Sequence, residues 1–366
     1  MKEKVEILDG NAAAAYAAIL ARVQCIPCFP ITPQTEMIET IAKWKANGKT
    51  NIEFNQVDSE HSVISAALGA QMTGARTFTA SSSQGLMLMH EILPIVAGTR
   101  MPMVMLNVSR GLSAPITLWP DHNDFLAMRD SGWIMICCET NQEVLDTIIM
   151  SFKIAENKEV LLPVLVNMDG FIHSYTRTEV KIPMQKKIDK FLPKPNQKYR
   201  LDVKKPMTLG AGAMGGYYPF FKSQIHAAQL KALDVIKDVQ KQWKAITGRS
   251  YSVVEEYKTK NAKAVLVIMG ANSTIAKAAV DSLRKQGHAV GILRLRVIRP
   301  LPRKDIQKAL KNIKHISVFD QNIAPGSGGI LHPEIKSCLF EDDKIVSSYI
   351  GGLGGKPVSQ KDYEKI

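Results

Sequence analysis

Short apolar segments recur along this chain, and a helical pattern follows each of them. Residues 51–58 (NIEFNQVD) read as a strand with Ile52, Phe54 and Val57 inward, and residues 76–80 and 103–108 (MVMLNV) read as two more. Between them lie residues 62–70, small and apolar nearly all round, and residues 86–98, a second apolar helix. Strands that alternate with helices build a parallel sheet covered on both faces. Such a sheet binds its ligand outside the carboxyl ends of its strands. The residues just after each strand are therefore where chemistry is expected.

Four segments fall there. Residues 28–36 (CFPITPQTE) run from a strand end to a helix start. Pro30 and Pro33 each fix their own φ and push Phe29 and Thr32 toward extended geometry, which holds Thr32 in a stiff turn with Thr35 and Glu36 opening the next helix. Glu60 sits at a helix start after the 51–58 strand, where a carboxylate also serves as a simple cap. Residues 81–85 (SSSQG) make a small-residue turn, and Arg110 follows the 103–108 strand. The plain alternatives are a proline-punctuated loop, a helix cap and a salt-bridge arginine.

The second half changes character. Pro183, Pro193, Pro195 and Pro206 punctuate a lysine-rich stretch at about 174–220 that ends in GAGAMGG, an excursion from the strand–helix rhythm. An amphipathic helix is expected over 222–246, and a boundary follows at 247/248. Strands at 264–270, 290–295 and 315–320, with helices at 272–286 and 303–311, then describe a second α/β unit over 248–366, and residues 298–302 turn into the later helix. Gly326, Ser327, Gly328 and Gly329 lack the lysine and spacing of a phosphate loop and read as a turn that allows close packing.

Composition excludes several classes. No run of about eighteen apolar residues occurs, so a spanning helix is not expected. The first twenty residues carry acidic interruptions and no secretory pattern, which points to the cytoplasm. Five cysteines give no disulfide framework. Cys25 and Cys28 have CxxC spacing, but neither further metal ligands nor a ferredoxin-type run accompanies them, so they read as buried or incidental thiols. Asp121, His122 and Asp124 are adjacent in a loop without metal-ligand spacing, and are expected to shape the active-site loop or its interface. A net charge of +13 raises nucleic acid as a partner, yet no recognition motif accompanies it, and a solvated basic surface is the expected reading.

Several blocks in order, GNAAAAYAAI, FPITPQTEMIE, VDSEHSVISAALGAQMTGART, SSSQGLMLMHE and MPMVMLNVSRGLSAPITLWPDHNDFLAMRDSGWI, resemble the α subunits of 2-oxoacid:ferredoxin oxidoreductases, most of all the pyruvate synthase (pyruvate:ferredoxin oxidoreductase) branch. The resemblance covers nearly the whole chain and is strongest over residues 9–170. It implies a thiamine-diphosphate-binding fold: a pyrimidine-binding domain over 1–247 and a transketolase C-terminal-like domain over 248–366, with the RVIRPLP block in the latter.

The resemblance also implies roles. Glu60 would hydrogen-bond N1′ of the aminopyrimidine and so favour the imino tautomer that takes the thiazolium proton, acid–base catalysis routed through the cofactor. Thr32 would contact substrate and cofactor, with Pro30, Ile31, Ser83 and Gln84 lining the cofactor side. Arg110 would hold the 2-oxoacid carboxylate, whose two oxygens match a forked guanidinium. Thiamine diphosphate would be shared with a diphosphate-binding β subunit carrying Mg2+, since this chain has no G-D-G…N block. Gamma and ferredoxin-like delta subunits would complete the assembly, 4Fe-4S clusters would pass electrons to ferredoxin, and coenzyme A would accept the acyl group. Two departures stand out: Ala12, where relatives often carry an acid, and Leu118-Trp119-Pro120, which bears on the substrate side chain. A related enzyme for 2-oxoisovalerate or another 2-oxoacid, or a noncatalytic assembly subunit of the same fold, is the alternative.

Overall fold

The computed structural model describes residues 3–340 and 343–366. Its first sheet runs in the order Val297–Arg299, Ile134–Cys137, Val164–Asp169, Val104–Ser109, Phe78–Ser81. The last four strands are parallel. Two further parallel strands, Cys25–Cys28 and Glu53–Gln56, abut it through a bridge between Cys25 and Thr77. Val104–Ser109 and Val164–Asp169 are buried at every residue, as expected of strands with both faces covered by helices. The helix Gly10–Leu20 packs on Asn141–Ala155, and Ala13, Ala14, Ala17 and Ala18 are small enough to let it lie close.

A second sheet runs in the order Ile345–Ile350, His315–Asp320, Ala264–Ile268, Val290–Leu295, Val254–Tyr257, parallel except for the last strand. Among the described residues no helix is long and apolar enough to cross a membrane.

The structure departs from the sequence reading in three places. The apolar helix expected over 86–98 is two helices, Ser83–Met89 and Leu93–Gly98. Pro94 lies in the first turn of the second, where its missing N–H costs nothing, whereas in mid-helix it would remove a hydrogen bond. The lysine-rich excursion begins with ordered pieces: Thr178–Ile182 pairs antiparallel with Lys4–Leu8, and Gln185–Phe191 is a helix. Residues 192–217 then run without strand or helix until Tyr218–Thr247. Lastly, part of the RVIRPLP block is a strand. Val297–Arg299 joins the first sheet antiparallel to Ile134–Cys137, so the second half of the chain supplies an edge to the first sheet. The glycine turn behaves as read: a Cβ on Gly329 would come within 2.7 Å of Asp320 Cβ.

A buried ion cluster reinforces that junction. Arg294 Nη1 donates to Glu143 Oε2 at 3.0 Å and its Nε to Glu255 Oε2 at 2.7 Å. Arg296 Nε donates to Glu143 Oε1 at 2.5 Å and its Nη2 to Thr147 Oγ1 at 2.6 Å. Burial by itself would raise Glu143, but Arg294 and Arg296 overcome it and hold the carboxyl down at about 2. A depressed carboxyl contributes stability that is present above its unfolded value and lost as pH falls through the folded one. This contribution is therefore expected to disappear between about pH 4.5 and 2. Arg294→Met leaves Glu143 with a single arginine and should cost about 3–5 kcal/mol in denaturant unfolding. A loss under about 1 kcal/mol would show that the cluster does not hold the halves together.

Candidate active site

The carboxyl ends of the first sheet bring the expected residues onto one rim. Arg110 follows Val104–Ser109 and is 7 % exposed. Its Nη1 donates to the Thr32 carbonyl at 2.7 Å and its Nη2 lies 3.4 Å from Gln84 Oε1. Burial lowers the Arg110 pKa, and Asp124 and Glu60 pull it back up, so the guanidinium and both carboxylates share one electrostatic neighbourhood.

The proline turn is held from three sides. Asn11 Nδ2 donates to the Pro33 carbonyl at 3.0 Å, Gln34 Nε2 donates to the Ala80 carbonyl at 2.9 Å, and the Ile31 N–H lies 3.4 Å from Gln34 Oε1. Gly170 completes the seat: a Cβ there would press on the Ser109 carbonyl and lie 3.0 Å from Pro33 Cγ. Pro30 and Thr32 are exposed and Ile31 is half-buried, so the turn presents its edge outward while its base is fixed.

Glu60 is the first residue of the helix Glu60–Met72, capped by the Ser59 side chain. It is 7 % exposed, and its carboxylate accepts no protein hydrogen bond among the described residues. Gly85 makes room for it. A Cβ on Gly85 would lie 2.9 Å from Glu60 Cδ and 2.5 Å from Ser81 Oγ. Gly85→Ala must therefore displace the carboxylate or the helix Ser83–Met89, a strain of about 1–3 kcal/mol. A thermal midpoint several degrees below wild type is expected, and an unchanged midpoint would mean that the carboxylate moves aside freely.

Ser83 adopts a left-handed φ of 48°, an unusual conformation for a residue with a side chain. It is fastened there by Asp124, whose Oδ2 accepts from the Ser83 N–H at 3.0 Å and from the Arg110 N–H at 3.1 Å. Asp124 Oδ1 accepts from Ser109 Oγ at 2.9 Å and from its neighbour's N–H, Phe125, at 2.6 Å. Burial pushes the Asp124 carboxyl up to about 6, with the Arg110, Ser83 and Ser109 donors opposing. One buried carboxylate thus ties the ends of two strands together.

Asp121, His122 and Asp124 diverge in their contacts. Asp124 turns to the rim. Asp121 Oδ2 accepts from the Gly354 N–H at 3.3 Å, which joins the loop to the second half. The His122 ring is buried against Gly270, where burial lowers its pKa to about 3. Asn11, Gln34 and Asp124 had no role of this kind in the sequence reading, because the backbone groups they hold at Pro33, Ala80, Ser83 and Arg110 lie far away in the chain. Cys25 and Cys28 are three apart on one strand and so face opposite sides; burial raises the Cys28 thiol to about 11. An open cavity of about 820 Å³ lies at the other ends of the strands, beside Gln24 and Arg76, away from this rim.

The residues present fit thiamine diphosphate. Ser81 Oγ, Ser82 Oγ and Arg110 Nε are buried without a protein partner, and the Glu60 carboxylate lies beside Ser81 where Gly85 carries no side chain. Unsatisfied buried groups on one rim call for a polar ligand.

Solved structures place the fold in a class. A 2-oxoglutarate:ferredoxin oxidoreductase from Magnetococcus marinus superposes with a TM-score of 0.73 at 20% identity, covering 99% of this chain and 64% of that one. A split-gene transketolase superposes with a TM-score of 0.58 at 10% identity, covering 98% and 97%. The chain thus has the architecture shared by 2-oxoacid:ferredoxin oxidoreductases and transketolases.

Sequence comparison is more specific. The family described as "Pyruvate flavodoxin/ferredoxin oxidoreductase, thiamine diP-bdg" matches residues 16–241, and "Pyruvate:ferredoxin oxidoreductase core domain II" matches residues 262–363. Pyruvate synthase subunit PorA of Methanocaldococcus jannaschii is 45% identical over 99% of this chain and 94% of its own length. Ketoisovalerate oxidoreductase subunit VorA of Pyrococcus horikoshii is 41% identical over 99% and 92%. The chain belongs to the pyruvate flavodoxin/ferredoxin oxidoreductase family, within which residues 16–241 form a thiamine-diphosphate-binding region.

Proposed function

We propose that this chain is the α subunit of a pyruvate:ferredoxin oxidoreductase, active only with partner subunits. The observation that carries the reading is the meeting of Glu60, Arg110, Thr32 and Gln84 on one rim, in a chain of this family. The net reaction joins pyruvate and coenzyme A into acetyl-CoA and CO2, releases one proton and passes two electrons to ferredoxin; the reverse synthesis uses the same groups. Thiamine diphosphate, when bound, supplies the carbon nucleophile and the electron sink. Glu60 holds a proton at the aminopyrimidine N1′, which a carboxylate free of protein hydrogen bonds is suited to do. Arg110, whose Nε has no partner in the protein and whose Nη1 ties it to the Thr32 turn, would hold the 2-oxoacid carboxylate. Thr32 orients the substrate, and Pro30, Ile31, Ser83 and Gln84 wall the cofactor. The diphosphate and Mg2+ belong to a β subunit, and the 4Fe-4S clusters to gamma and delta partners.

The relative named for ketoisovalerate favours a second substrate, 2-oxoisovalerate. Trp119 stacks edge-on against Phe171, with ring centroids 4.7 Å apart, next to the loop whose Gly111 N–H donates to the Trp119 carbonyl. We read that pair as the feature that limits the substrate side chain. The test is ferredoxin reduction by the purified complex with pyruvate, 2-oxoisovalerate or 2-oxoglutarate. Fastest turnover with pyruvate is expected. Preference for a branched acid moves only the substrate, and inactivity with every 2-oxoacid in an intact complex overturns the catalytic reading.

A further inference from the structure

The segment from residue 199 into the helix Tyr218–Thr247 is apolar where it should be polar. Tyr217 is 65 % exposed, Met214 81 % and Val203 97 %, and Tyr218, Phe220 and Phe221 are each at least half exposed. From 218 to 227 the helix is open on every side, with only Ile225 partly shielded, and its first buried residue is Ala228. An exposed apolar patch of this kind marks an interaction surface. The same segment is strongly basic: residues 194–222 hold Lys194, Lys198, Arg200, Lys204, Lys205 and Lys222 against a single acid, Asp202. Lys222 Nζ lies 5.2 Å from the Tyr218 ring centroid and Lys198 Nζ 5.3 Å from that of Tyr199.

We infer that this aromatic, basic arm is a docking surface for an acidic, apolar-grooved face on a partner subunit of the complex. The inference rests on the function proposed above, because it takes the chain to work in a heteromeric assembly. Charge selects the occupant. A second copy of this chain would bring a like-charged arm and a net charge of +13 to the contact, which repels. Nucleic acid would use the lysines and stack on the aromatics but leave Met214 and Val203 uncovered. The surface is also continuous with the rim. The helix Tyr218–Thr247 packs on Leu93–Gly98, which exposes Ile95, and the helix beginning at Ser83 exposes Met87 and Leu88. A partner seated on the arm therefore lies along the path to Ser83 and Gln84.

The test uses the full complex, co-expressed with the variant Y217S/Y218S/F220S/F221S and, separately, K204E/K205E. These side chains are exposed, so the isolated variant chains should keep the wild-type circular dichroism and thermal midpoint. Retention of the partner subunits is followed by native mass spectrometry and by sedimentation at rising salt. At least tenfold weaker retention in the aromatic variant, and weaker retention with a shallower salt dependence in the lysine variant, is the expected result. Unchanged retention in both overturns the inference. So does loss of a homodimer in place of a partner, or binding of a single-stranded oligonucleotide through these residues with steep salt dependence. The function itself is read separately. If Glu60→Gln assembles normally and keeps full turnover, the proposed chemistry fails while the docking surface stands.

Discussion

Glu60→Gln, in the assembled complex, is expected to lower 2-oxoacid-dependent ferredoxin reduction by about 10²–10⁴-fold, the usual contribution of a positioned proton-transfer group. The substitution is nearly isosteric, so the space beside Gly85 and the Ser59 cap should survive, and unfolding should hardly change. An amide does not take up and return a proton as a carboxylate does. The loss should therefore fall on kcat, with KM for the 2-oxoacid little altered. Thiamine diphosphate binding, followed by calorimetry, separates affinity from chemistry. Turnover within threefold of wild type would remove Glu60 from the mechanism and leave it as a helix-start carboxylate.

Arg110→Ala is the second large effect, and it should appear elsewhere. Truncating one partner of a buried, hydrogen-bonded charge pair costs about 2–5 kcal/mol. With each 1.36 kcal/mol worth tenfold, kcat/KM for the 2-oxoacid should fall roughly 30- to 5,000-fold. Because Arg110 also donates to the Thr32 carbonyl, alanine also loosens the turn. Arg110→Lys keeps the charge without the fork and should recover only part of the loss, since one ammonium does not match both carboxylate oxygens. Equal activity of the lysine and arginine enzymes would show that charge alone matters. If neither variant changes KM or kcat/KM, Arg110 does not touch the substrate.

Both predictions depend on residues that sequence alone had selected, for a simple reason. In a parallel sheet the residues after each strand lie at one edge, so finding the strands finds the rim. Thr32, Glu60, Ser83 and Arg110 needed only that rule and the blocks around them. Proline placement made the turn at residues 30–33 legible because its constraint is local. The apolar runs at 264–268, 290–295 and 315–320 were legible as strands for the same local reason.

What holds these residues in place was not legible. Asp124 secures Ser83 and Arg110 from 41 and 14 positions away, and Asn11 reaches Pro33 from 22 positions away. A hydrogen bond to a distant backbone group leaves no pattern in the residues beside it. Gly85 reads as one more small residue until the Glu60 carboxylate is seen against it. Val297–Arg299 was hidden too, because a three-residue strand has no periodicity of its own and earns its state from pairing with Ile134–Cys137. The order of strands and helices, and the residues that end each strand, came from local sequence. The register that brings them onto one rim, the carboxylates that fix the rim, and the edge strand and ion cluster that join the halves came from contacts between distant parts of the chain, which only tertiary packing creates.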